Sequence, residues 1–222
     1  MEYLTISDGQ FPRLAHSAVT MGKFDGIHRG HRKLIRRILE QKEETGAAAV
    51  VLAFVSDRKM ILTKAERRDL LERLGVDVLL ECPLDGRLKH MKAENFIKQI
   101  LVGSLHASYM AVGEDFRFGY ERKGTPDILE KNGEKYGFVT EVLSKEMDGG
   151  RKISSTYIRE ELNSGHMEKT AGLLGCDFYV SGTVEHGRGM GHRTFFPTAN
   201  IIPPPEKLMP PNGVYITVSS FG

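Results

Sequence analysis

Apolar positions in the first half of the chain follow two alternating spacings. The stretch from Gly46 to Phe54 is almost unbroken, and Ser17 to Met21, Asp77 to Leu80 and Ala107 to Val112 are shorter runs of the same kind. Apolar runs with no polar alternation suit strands covered on both faces, as a parallel sheet requires. Between these runs the spacing becomes helical. In Arg32 to Lys42 the apolar residues are Leu34, Ile35, Ile38 and Leu39, which form one stripe with the charges on the other side. Thr63 followed by Glu66 forms a capping box ahead of Leu70, Leu71 and Leu74. Phe96, Ile97, Ile100 and Leu101 repeat the helical spacing. Strand and helix alternating in this way predict right-handed βαβ units and a doubly wound α/β sheet.

The pattern changes near Leu173-Leu174-Gly175. Beyond it, Phe178 to Val184 and Val214 to Ser219 are β-like pieces. Gly187, Gly189, Gly191, Pro203-Pro204-Pro205 and Pro210-Pro211 lie between them. Such spacing predicts a small β domain over 175–222 after a larger domain over 1–174. A segment that short lies at the low edge of what folds unaided.

Composition narrows the class. Of 222 residues, 27% are charged and 40% hydrophobic, the balance of a soluble globular protein. A net charge of +2 gives no reason to expect a nucleic-acid partner. No apolar run is long enough to span a bilayer, and Met1-Glu2-Tyr3 does not open a secretory signal. Cys82 and Cys176 stand far apart and form no metal or redox motif, which predicts two buried, reduced thiols in a cytoplasmic protein. Oligomeric state is not readable at this level.

The candidate chemistry lies in Met21-Gly22-Lys23-Phe24-Asp25-Gly26-Ile27-His28-Arg29-Gly30-His31, between the first core strand and the first helix. Ligands of open α/β sheets bind outside the carboxyl ends of the strands, where this loop belongs. Gly22, Gly26 and Gly30 are expected to supply positive φ and close approach to phosphate. The helix start offers free N–H groups and the positive end of its dipole. His28 and His31, three apart, can both donate to charge developing on an attacked phosphate. No third ligand with metal spacing accompanies them, which argues against zinc. Lys23 adds a cation to the same loop. Further along, Ser154, Ser155 and Thr156 open a helix, with Arg159 in its first turn, a pattern suited to clamping β- and γ-phosphates. Phe116 and Phe118, with Asp115, follow a core strand and either line a ligand slot or belong to the core.

The string Gly-Lys-Phe-Asp-Gly-Ile-His-Arg-Gly-His resembles the His-x-Gly-His nucleotidylyltransferases, and within them the bacterial bifunctional riboflavin kinase/FAD synthetase family. Val112 to Gly119, Ile153 to Arg159, Gly182 to Gly187 and Phe196 to Asn200 resemble further segments of that family in the expected order. The resemblance implies a Rossmann-like nucleotidyltransferase domain followed by a riboflavin-kinase-like β-barrel. It implies ATP and FMN as substrates, possible use of riboflavin, and Mg²⁺ carried on the phosphates. His28 and His31 become the catalytic pair. Gly22, Phe24, Asp25, Gly30, Ser154, Ser155, Thr156 and Arg159 become ATP contacts. Phe54, Asp115, Phe116 and Phe118 become flavin contacts, and Thr198 and Asn200 become kinase-side Mg-ATP contacts, with Thr198 on the metal.

Three departures stand out. The family commonly shows Asn at Lys23 and Phe-x-Pro-His-Pro where this chain has Phe54-Val55-Ser56-Asp57-Arg58, so only Phe54 carries over. The family's presumed kinase glutamate lies beyond the segment matching Gly213-Val214-Tyr215, and Gly222 precedes it, so the expected activity is FMN adenylylation and not riboflavin phosphorylation. The alternatives are a relative with another phosphate acceptor, or a flavin- or nucleotide-binding protein without turnover.

Overall fold

The computed structural model describes residues 1–6, 9–55, 58–83, 86–185 and 199–220. Its centre is a six-stranded sheet made of β1 (Glu2–Thr5), β2 (Ser17–Gly22), β3 (Ala48–Val55), β4 (Val78–Pro83), β5 (Ala107–Gly113) and β6 (Val139–Leu143). The spatial order is β1-β4-β3-β2-β5-β6 and every pairing is parallel. The chain runs outward from β2 through β3 to β4, then crosses back to place β5 on the other side of β2. That reversal makes the β2/β5 boundary the topological switch point, where open α/β sheets bind their ligands. Thr20 Oγ donates to the Ala111 carbonyl at 2.8 Å and Ser17 Oγ to Leu105 at 2.6 Å, satisfying the polar side chains buried along that boundary.

Successive strand residues point to opposite faces and so feed two cores. Val19, Met21, Val50, Leu52, Leu80, Met110 and Val112 share one core with Phe96, Ile97, Ile100 and Leu101. Ala18, Ala49, Val51, Leu79 and Ala111 share the other with Leu34, Ile35, Ile38, Leu70 and Leu71. The unbroken apolar runs follow from this two-faced burial. The helices are α1 (Arg29–Thr45), α2 (Lys64–Arg73), short α3 (Gly86–Lys89), α4 (Ala93–Phe96), α5 (Pro126–Tyr136), α6 (Ser155–Asn163) and α7 (Met167–Leu174). Both bonds of the Thr63/Glu66 capping box are present at α2. The Phe96–Leu101 segment is helical, but from Ile97 to Val102 it widens into a π-helix. A hairpin of β7 (Met147–Asp148) and β8 (Arg151–Lys152) precedes α6. Among the described residues no helix is long and apolar enough to cross a membrane.

The tail differs from the sequence expectation. Of Phe178 to Val184, only the last two residues enter a strand, β9 (Thr183–Glu185), which pairs antiparallel with β10 (Asn200–Ile202). Phe178 and Tyr179 instead pack against the first domain. Val214 to Ser219 forms no ladder, and Val214, Ile216 and Val218 are fully exposed. β-propensity reflects packing on a neighbouring strand, and this stretch has none among the described residues. Cys82 is buried as expected, with its thiol pushed up to about 12 mainly by burial, whereas Cys176 is only half-buried.

Candidate active site

The loop from Gly22 to His28 leaves the carboxyl end of β2 at the switch point and delivers His28 to the N-cap of α1. The glycines act differently from the sequence expectation. Only Gly26 has positive φ (+91°), while Phe24 and Ile27 adopt left-handed conformations at +46° and +44°. Burial explains how those two side chains tolerate the turn, since both are fully enclosed in the core on the α1 side. Gly30 is small for another reason: a Cβ there would sit 3.3 Å from the His28 ring. The Phe24 ring is likewise buried, 4.8 Å from the His31 ring centroid, so it supports His31 and leaves only its backbone for a nucleotide.

His28 and His31 stack with centroids 3.7 Å apart. The His31 amide donates to His28 Nδ1, an N-cap bond that leaves the His28 proton on Nε2. Burial and the nearby Lys145 ammonium lower the His28 pKa to about 4, and burial beside His28 drives His31 well below its ordinary value. Both rings are therefore neutral at pH 7. The buried His31 Nδ1 has no hydrogen-bond partner. The first turn of α1 carries no acidic residue. Stacked neutral rings at a helix N-terminus present donors with no counter-charge, an arrangement that suits an incoming anion.

A cleft opens between the β2–α1 loop, the end of β3, α2 and the start of α6, and neither His28 nor His31 is among the residues that line it. Among the described residues, Lys23, Arg58, Arg67 and Arg159 line it with the carboxylate of Asp25, and Phe54, Ser155 and Thr156 complete the wall. Ser154 caps α6, accepting from the Tyr157 amide at 3.2 Å. Ser155 Oγ donates to the Asp25 carbonyl at 2.9 Å and so ties α6 to the glycine loop. Arg159 does not point freely toward an anion. It donates through Nε (3.1 Å) and Nη2 (2.6 Å) to Asp25 Oδ2, and also to the Lys59 carbonyl. Asp25 Oδ1 accepts from the Ile61 amide at 2.8 Å. Asp25 is thus a holder of Arg159.

The flavin-side residues separate. Phe54 lines the cleft and its ring lies 6.4 Å from that of Phe96. Phe118 is a core residue stacked on half-buried Phe116 with centroids 5.6 Å apart. Asp115 is exposed and ion-paired with Lys145. Asn200 is exposed in β10, and Thr198 lies outside the described residues. Among the described residues no group of three or more His, Cys, Asp or Glu side chains could cage a metal.

Sequence reasoning missed Arg58, Arg67 and Lys207. Arg67 is buried with its Nε unpartnered, and its guanidinium is ion-paired with buried Glu81. One signal was available: Arg67 shares the apolar stripe of Leu70, Leu71 and Leu74, where a charge is out of place. Lys207 lies in a Pro-rich stretch and carried no signal at all.

Residues 11–157 match the family model described as FAD synthetase, and residues 174–222 match that of riboflavin kinase. The bifunctional riboflavin kinase/FMN adenylyltransferase of Escherichia coli K12 is 37% identical over 207 residues, covering 89% of this chain and 66% of the relative. That of Haemophilus influenzae is 32% identical, covering 83% and 63%. The chain thus spans about two thirds of the length of these relatives. A crystal structure described as a macrolide-efflux protein from Streptococcus pneumoniae superposes with a TM-score of 0.85 at 27% identity, over 97% of this chain and 73% of that one. On these matches the chain belongs to the bifunctional riboflavin kinase/FMN adenylyltransferase family, with an FAD synthetase domain followed by part of a flavokinase domain.

Proposed function

We propose that the chain transfers AMP from ATP to FMN. A terminal phosphate oxygen of FMN attacks the α-phosphorus of ATP, the bond to the β-phosphate oxygen breaks, and pyrophosphate leaves as FAD forms. The observation that carries this reading is the stacked, neutral His28/His31 pair at the N-terminus of α1, reached by the same β2–α1 loop whose Lys23 and Asp25 line a cationic cleft. Family membership favours ATP and FMN as the substrates.

In this reading His28 Nε2–H and His31 donate to the α-phosphate oxygens as negative charge builds there. The Gly22 and Gly30 backbones and the α1 amides cradle the triphosphate. Ser155, Thr156 and the Asp25-held Arg159 face its β- and γ-phosphates, while Phe54 and Phe116 border the isoalloxazine side. Mg²⁺ would arrive on the nucleotide's own oxygens and offset their charge, since the described residues offer no all-protein cage. We assign adenylyl transfer to residues 1–174 and treat 175–222 as the kinase-like portion.

Incubation with ATP, Mg²⁺ and either FMN or riboflavin, followed by separation of the flavins, tests the assignment. FAD from FMN is expected, with kcat reduced about 10²-fold or more in His28→Ala and His31→Ala. Near-normal kcat in both variants would remove the catalytic role of the pair.

A further inference from the structure

The residues that hold Arg159 are themselves held from behind. Lys59, Met60 and Ile61 form a strap between the cleft and the tail. On the cleft side the Lys59 carbonyl accepts from Arg159, and the Ile61 amide donates to Asp25 at 2.8 Å. On the far side the Met60 amide donates to the Glu206 carbonyl at 2.7 Å, and the Leu208 amide to the Met60 carbonyl at 2.8 Å. Between these two backbone bonds Lys207 Nζ donates to the Ile61 carbonyl at 2.8 Å and to Glu66 Oε2 at 2.6 Å. The ammonium also faces the Phe178 ring, 4.5 Å from its centroid.

Lys207 is 1% exposed. A lysine is almost never enclosed to that extent unless its charge is paired. Here the carboxylate, the carbonyl and the ring satisfy it. Glu66 is saturated in turn, because it also accepts from the Thr63 amide and from the Ser181 amide and hydroxyl. A plain surface tail has no need of such a socket.

We propose that Lys207 is a positioning residue for the nucleotide site: by holding the Ile61 carbonyl, next to the Met60–Ile61 peptide that the Leu208 amide holds, it fixes the Ile61 backbone and so sets Asp25 and the Arg159 guanidinium. The proposal rests on Asp25 and Arg159 serving the triphosphate as described above. Lys207 belongs to the stretch that matches the riboflavin kinase model. An element of one module therefore braces the phosphate clamp of the other, and the tail acts on adenylyl transfer without touching a substrate.

The test uses Lys207→Met in the full 222-residue chain. Methionine fills most of the socket, and Glu66 keeps its three other donors. Amide exchange in the protein without ligand is expected to accelerate about tenfold or more at Met60 and Ile61, while the β2 to β5 amides hold. KM for ATP is expected to rise about fivefold with kcat within about twofold, within the usual range for coupling through a packed network. Ser181→Ala is the control. It removes a donor from Glu66 but leaves the Lys207–Ile61 bond, so it lowers stability without moving KM for ATP. Unchanged exchange at Ile61, unchanged KM, or an equal KM rise in Ser181→Ala overturns the brace. If Lys207→Met does not fold, the wild-type protein decides. ATP binding must then slow exchange of the Leu208 amide, because coupling between the two ends is reciprocal, and no slowing overturns the proposal. Failure of wild-type protein to make FAD refutes the activity and leaves the Ile61 exchange comparison to judge the brace.

Discussion

His28 accepts the His31 amide on Nδ1 at 3.4 Å while the two rings stack 3.7 Å apart, so one residue both starts the helix and orients its histidine neighbour. The two duties separate in His28→Asn. Asparagine is a good N-cap and preserves the start of α1, but it has nothing at the position of Nε2. His28→Asn is expected to keep its unfolding free energy within about 0.5 kcal/mol while losing about 10²-fold in kcat. His28→Ala should lose the same activity and about 1 kcal/mol of stability as well. Urea unfolding beside a FAD-formation assay reads both, and an active His28→Asn would contradict the donor role.

Stability without ligand should fall in mild acid. The unfolded chain takes a proton on His28 near pH 6.5, whereas the buried ring in the folded protein does so only near pH 4. Between those values the unfolded state binds more protons, so stability decreases as pH falls, by at most about 1.4 kcal/mol per pH unit from this residue. His31 contributes in the same direction. Unfolding at pH 7 and pH 5 should show a shallower loss in His28→Asn than in the native sequence. Equal losses would show that His28 is not a buried neutral group.

Arg159→Lys isolates the clamp. Lysine lacks the planar fork with which Arg159 donates to Asp25 through both Nε and Nη2 while Nη2 also reaches the Lys59 carbonyl. We expect about 1–2 kcal/mol less stability and a rise in KM for ATP of about tenfold, corresponding to about 1.4 kcal/mol of binding, with KM for FMN little changed. A rise confined to FMN would move Arg159 to the acceptor side.

Gly124→Ala examines the flavin side from behind. A Cβ at Gly124 would lie 2.6 Å from a Phe118 ring carbon, so the ring must shift and carry stacked Phe116 with it. Overpacking of this kind costs about 1–3 kcal/mol. KM for FMN is expected to rise while KM for ATP holds. No change in KM for FMN would leave Phe116 and Phe118 as core residues only.

The four central strands were legible because each feeds two cores, which leaves an unbroken apolar run in the sequence. β1 and β6 were not. Their burial is partial, and Glu2-Tyr3-Leu4-Thr5 and Val139-Thr140-Glu141-Val142-Leu143 mix polar with apolar, as edge strands do. The β7–β8 hairpin rests on two residues a side around Gly149-Gly150, too few to leave a period. In the site, the histidine loop and the Ser154 to Arg159 helix were legible as types placed at strand and helix ends. Their mutual engagement was not, because Asp25 and Arg159 are 134 positions apart and nothing local marks a carboxylate as the holder of a distant guanidinium. Lys207 was hidden for the opposite reason. Lysine is a surface residue by default, and only the Glu66 carboxylate, the Ile61 carbonyl and the Phe178 ring, brought together by the fold, reverse that expectation.

The position of β1 at the edge of the sheet has a consequence for synthesis. Its partners lie on β4, with Glu2 opposite Val78 and Thr5 opposite Glu81. At translation rates of about 5–20 residues per second, the first strand waits roughly 4–15 seconds for its neighbour to be made. Long-range parallel pairing is intrinsically slow, and β1 meets β4 only across the whole of β2, α1, β3 and α2. Until β4 has been made β1 has no neighbour to pair with, and once made β4 keeps an unprotected edge until β1 returns to it.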